Sequence, residues 1–130
     1  MIKLCYKEYP FKITLGAMRE YKELTGKSLH YSLMKAYKAN IDGRETTLIN
    51  RLLQIQEAIS FDDALAVFHT IIKTENSATS KAEIEDAMLK VSWFPNADDS
   101  DLGRPWPFEL MTIVEEVNNF YSELSTEKKP

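Results

Sequence analysis

Phe11-Lys-Ile-Thr14-Leu-Gly-Ala-Met-Arg-Glu-Tyr-Lys-Glu-Leu-Thr-Gly26-Lys-Ser28-Leu29 is the stretch that decides the fold class. Thr14 suits a helix N-cap, because its hydroxyl can accept from an amide of the first turn. Ala17, Met18, Tyr21 and Leu24 then recur at helical spacing, and Gly26 suits the left-handed residue that closes a helix. Ser28 opens a second helix at once, with Leu29, Leu33, Met34 and Tyr37 on one side, until Asn40-Ile-Asp-Gly43 ends it with turn chemistry. Two capped helices joined across a glycine make the chain mainly α.

Downstream the pattern repeats. Leu48, Leu52, Ile55 and Ile59 carry a third helical stripe. Ser60-Phe-Asp-Asp63 and Ser80-Lys-Ala-Glu83 both have the Ser-x-x-acid form of a capping box. Phe61, Leu65, Phe68, Ile71 and Ile72 follow the first, and Ile84, Ala87, Met88 and Val91 follow the second, running on to Trp93 and Phe94. Residues 95–106 read as a loop with Asp98, Asp99, Asp101, Gly103 and two prolines. Pro107 fits the first turn of a last helix whose core stripe is Leu110, Ile113, Val114, Val117, Tyr121 and Leu124. Upstream, Ile2, Leu4 and Tyr6 alternate with polar residues, and Phe11 and Ile13 repeat the alternation. Lys7-Glu-Tyr-Pro10 between them predicts a hairpin turn. The expectation is a small helical domain over 1–124, of five or six helices with a short N-terminal β-strand or hairpin, and a polar tail at 125–130.

At 130 residues and 15.0 kDa, such a domain needs no disulfide or metal to hold its core. Cys5 is the only cysteine, which excludes an intramolecular disulfide and fits a reducing compartment. The start has no apolar core of a signal peptide, and no apolar run reaches spanning length. Net charge is −4 and the pI near 5.2, so the chain has no general attraction for nucleic acid or anionic membranes. The charge is uneven: residues 1–50 carry nine Lys/Arg against five Asp/Glu, and residues 51–130 carry seven against fifteen. A basic front and an acidic back suit weak head-to-tail contact between copies.

Reactive constellations are scarce. The four glycines, Gly16, Gly26, Gly43 and Gly103, are isolated and form no phosphate loop. One cysteine with His30 and His69 falls short of a zinc ligand set. Counting Asp98 as the first position of a calcium loop puts Gly103 at its turn and Glu109 at its end. Leu102 then fills a ligand position it cannot serve. Asp62 and Asp63 fit a helix first turn, where carboxylates complement the macrodipole, better than an acid–base pair. No catalytic residue, metal or cofactor is assigned, and the chain reads as a non-enzyme.

What remains is adhesive surface. Tyr31, Met34 and Tyr37, with Trp106 in the loop, are the residues assigned to partner contact, since aromatics and Met supply adaptable apolar area. The alternative is a helix-turn-helix regulator built on the helical pair within 14–40, with Tyr31, Lys35 and Lys38 on its second helix. The acidic balance weighs against it.

The segment Phe11–Leu29 also resembles the opening of tail assembly chaperones from lambdoid long-tailed bacteriophages, in which a short strand leads into a helix ending in a Leu-Thr-Gly-like turn. Here that turn is Leu24-Thr25-Gly26. Beyond residue 29 the likeness is one of outline. The resemblance implies a protein that binds the tape-measure protein, assists tail-tube polymerisation in the host cytoplasm, and is absent from the mature virion. It further implies contact with the tail-tube protein through a form extended by a −1 ribosomal frameshift. Glu127-Lys-Lys-Pro130 is compatible with an A-rich slippery codon run for that shift.

Overall fold

The computed structural model of the protein describes residues 1–5, 7–90 and 105–127, the last four without their side chains. Tyr6, Val91, Trp93, Phe94, residues 95–104 of the expected loop and residues 128–130 of the tail lie outside them, as does the side chain of Leu124. The elements run β1 (Ile2–Leu4), β2 (Lys7–Tyr9), α1 (Leu15–Thr25), α2 (Leu29–Asp42), α3 (Leu48–Ala58), α4 (Phe61–Glu75), α5 (Lys81–Lys90) and α6 (Trp106–Glu127). The protein is mainly helical with a short N-terminal antiparallel hairpin, as the sequence pattern implies. Among the described residues no helix is long and apolar enough to cross a membrane.

The helix starts are where the hydroxyls put them. Thr14, Ser28, Thr47, Ser60 and Ser80 accept from Ala17, Tyr31, Asn50, Asp63 and Glu83 amides at 3.0, 3.3, 3.2, 3.1 and 3.1 Å. Gly26 closes α1 in the left-handed region at φ 75°, its N–H on the Lys22 carbonyl at 2.7 Å. Nothing lies within 4 Å of the position a Cβ would take there. Gly26→Ala is therefore expected to cost only the left-handed backbone penalty, about 1 kcal/mol, in the urea midpoint. Gly26→Asn should cost visibly less.

The hairpin differs from expectation. The strands pair with Ile2 opposite Tyr9, Lys3 opposite Glu8 and Leu4 opposite Lys7, so the chain reverses between Leu4 and Lys7 instead of at 7–10. Two-residue turns need positive φ, and Cys5 supplies it at 48° without the Gly or Asn that normally marks such a turn. The register puts Ile2, Leu4 and Tyr9 into the core together. Phe11 and Ile13 form no strand; Lys12 instead donates its N–H to the Ile71 carbonyl at 3.2 Å. Glu109, itself 5% exposed, accepts the Lys3 N–H at 3.4 Å and so covers the free edge of β1.

The two capping boxes form by half. Glu83 gives its N–H to Ser80, but its carboxylate takes the Tyr9 hydroxyl at 2.9 Å and the Lys7 ammonium at 3.0 Å, tying the hairpin to α5. Lys7 first and Tyr9 second hold the Glu83 carboxyl below the usual range. Burial, then Glu83, pushes the Tyr9 phenol upward. Asp63 likewise turns its carboxylate to Lys27, at 2.6 Å.

One apolar cluster takes residues from both strands and every described helix. α4 lies at its centre: Ala64, Leu65, Ala66, Val67, Phe68, Thr70, Ile71 and Ile72 are all buried, so the helix is covered nearly all round. Thr70 satisfies its hydroxyl on the Ala66 and Val67 carbonyls, and Tyr21 satisfies its own on Ser32 at 2.8 Å. α1 packs on α4, and α2 on α3 and α6. Gly43 lets α3 fold closely back on α2: a Cβ there would meet the Arg51 Cα at 3.2 Å. Arg51 then donates to Asn40 Oδ1 at 2.7 Å and lies 5.2 Å over the Phe108 ring. Leu24, Leu48 and Tyr121, read as core stripe members, depart from it at 62%, 49% and 40% exposure.

Candidate functional site

The residues assigned to partner contact separate into three environments. Tyr31 is exposed on α2 with Lys35 5.5 Å from its ring centroid. Met34 is half-buried against the core, and Tyr37 is partly exposed. Helical geometry places Met34 and Tyr37 in one row with His30, at i, i+4 and i+7, and sets Tyr31 at the side of that row, three residues before Met34. Trp106 is corrected outright as a loop residue. It opens α6 and is 2% exposed, its ring edge-on to Phe61 with centroids 6.0 Å apart. Pro107 fits the first turn as expected, and that carries the preceding indole into the core.

His30 leads to the surface that sequence reasoning missed. Its ring meets that of Tyr121 at a 45° tilt with centroids 4.8 Å apart, and the Tyr121 hydroxyl reaches Met18 Sδ at 3.8 Å. These contacts join the start of α2, the C-terminal half of α6 and the middle of α1 around a groove of about 210 Å³. Leu15, Met18, Leu29, His30 and Tyr121 supply its apolar lining, and Arg19 and Lys22 its charge. On α1, Leu15, Arg19 and Lys22 fall at i, i+4 and i+7 and share one solvent face. No ion pair holds Arg19 or Lys22 among the described residues. By contrast Lys7, Lys27, Lys73 and Lys90 each meet a carboxylate: Glu83, Asp63, Glu20 and Asp86. The groove is an apolar recess whose cationic rim is held by no ion pair among the described residues.

No family model, curated protein or solved structure matches this chain. The remaining groups therefore have to be judged on their own chemistry.

His69 lies on α4 in a second groove of about 480 Å³, with Glu20, Leu24, Asp62, Ala66 and Lys81. Its Nε2 is 3.3 Å from the Thr79 carbonyl, which fastens the α4–α5 connector, and burial pushes its pKa below the usual value. Cys5, at the hairpin turn, does not line that groove. Among the described residues no three of His, Cys, Asp and Glu gather to hold a metal ion. Most of the acidic loop weighed as a calcium site lies outside the described residues. Its Glu109 faces β1 instead.

Proposed function

We propose that this chain is a tail assembly chaperone of long-tailed bacteriophages, acting without catalysis in the host cytoplasm. The observation that carries the reading is the form and setting of residues 11–29. The segment that bears the resemblance folds as a capped helix, a left-handed glycine and a second capped helix, and it forms two walls of the apolar groove. A tape-measure protein is a long helix whose apolar surface aggregates unless covered. A small domain presenting helix-lined apolar surface covers such a helix through side chains alone. Many copies binding weakly give high avidity along the whole helix, yet each can be displaced by an arriving tube subunit. The basic front and acidic back of the chain favour side-by-side stacking of those copies, and a frameshift-extended form would recruit the tube protein.

Co-expression with a tape-measure protein tests this. The chain should keep the partner soluble and co-purify with it; a tape measure equally insoluble with and without the chain would refute the proposal. One feature favours the regulator instead: Tyr31, Lys35 and Lys38 fall at i, i+4 and i+7 and are all exposed on α2. Retention on duplex DNA that falls steeply between 50 and 200 mM salt, on the order of 10³-fold, would select that alternative.

A further inference from the structure

We propose that the groove between α1 and the C-terminal half of α6 receives an acidic amphipathic helix of the partner, one large apolar side chain filling the recess and flanking carboxylates meeting Arg19 and Lys22. The inference rests on the chaperone reading for the source of that helix, and on the groove alone for its chemistry.

Size comes first. The recess measures about 210 Å³. An apolar cavity of about 150 Å³ holds a benzene ring, so this one admits a single Leu, Met or Phe side chain. It is smaller than the roughly 300–1,000 Å³ of small-molecule sites. Its walls are helices, so there is no strand edge to extend. Recognition must run through side chains, which suits a helix laid in a groove. Leu15 at 54% exposure and Tyr121 at 40% supply the apolar contact, and Met18 beneath them is the residue type that adapts to varied anchors.

Charge sets the sign. Glu116 and Glu123 of α6 line a different groove with Lys12 and Phe11. Glu23 lies one turn beyond Arg19 on α1 but makes no ion pair with it, so no carboxylate holds Arg19 or Lys22 among the described residues. The two cations are three residues apart on one helix, a spacing that carboxylates at i and i+3 or i+4 on an opposing helix can match. Exposed pairs of this kind add little affinity but discriminate strongly against a basic partner.

The test uses the whole chain and two labelled amphipathic peptides of about 20 residues, ~30 Å as helices. Both carry the same Leu stripe, one with Glu flanks and the other with Lys flanks. Fluorescence anisotropy should give about tenfold tighter binding of the Glu peptide. Arg19→Glu with Lys22→Glu should reverse the preference. Leu15→Ala with Tyr121→Ala should weaken the Glu peptide by about tenfold or more. Leu53→Ala, on the solvent face of α3, should change nothing, and all variants should keep the wild-type melting curve. Equal affinity for both peptides, or a preference unmoved by the charge reversal, would overturn the proposal. So would self-association that the Leu15/Tyr121 variant abolishes and neither peptide displaces, which would make a second copy the occupant. If the peptides discriminate but no tape-measure protein is solubilised, the groove stands and the phage reading falls. The converse result sinks the groove and spares the chaperone.

Discussion

Trp106→Ala is expected to lower the stability of the fold by about 3–5 kcal/mol, read as the shift in urea midpoint at unchanged slope. The side chain is 2% exposed and meets Phe61 edge-on at 6.0 Å, at the point where α6 begins. Truncation removes the largest apolar surface any side chain offers and leaves a cavity between α4 and α6. Total stability of a domain this size is about 5–15 kcal/mol, so the variant should melt well below the wild type. Trp106→Phe should recover much of the loss. Tyr31→Ala is the contrast: 58% exposed, with the Lys35 ammonium over its ring, it should shift stability by no more than about 0.5 kcal/mol. If Trp106→Ala proved as mild as Tyr31→Ala, the indole would be solvent-facing in solution, and its assignment to partner contact would return.

That contrast marks which features were legible. Caps and helix ends were, because a Ser or Thr hydroxyl and the amide three residues on form a bond within one turn, independent of the rest of the fold. The mainly α class followed from them. The hairpin turn was not, because Cys5 adopts a positive φ that its side chain does not advertise. Trp106 was misplaced because Pro105 and the acidic, glycine-containing run before it read as loop up to the indole, whereas its burial depends on Phe61, far away in sequence. The capping-box acids Asp63 and Glu83 were located correctly, yet their carboxylates turned to Lys27, Lys7 and Tyr9, partners that no local spacing reveals. The groove was the least visible feature. Met18 and Tyr121, which meet across it, are 103 residues apart, and Tyr121 occupies a position on α6 that periodicity alone assigns to the core.

Phe68→Ala should be as damaging as the tryptophan change, about 3–5 kcal/mol, for a different reason. Periodicity gives α4 one broad apolar face, but in the fold Ala64, Ala66, Val67 and Thr70 are buried as well. Phe68, with no exposed surface, therefore has no solvent-facing side from which neighbours can slide in to fill its void. Collapse would need α4 to shift as a body, and its ends are held: Ser60 and Asp63 fix the first turn, the latter through Lys27, while Lys73 near the other end grips Glu20 of α1. A cavity that cannot relax costs close to its full volume term, which places Phe68→Ala at the upper part of the range. Phe68→Leu, which keeps most of the volume, should cost less than about 1.5 kcal/mol. The difference between the two variants is the measurement that matters. Should Phe68→Ala and Phe68→Leu unfold at the same denaturant concentration, α4 would be free to repack, and its place as the fixed centre of the domain would be lost.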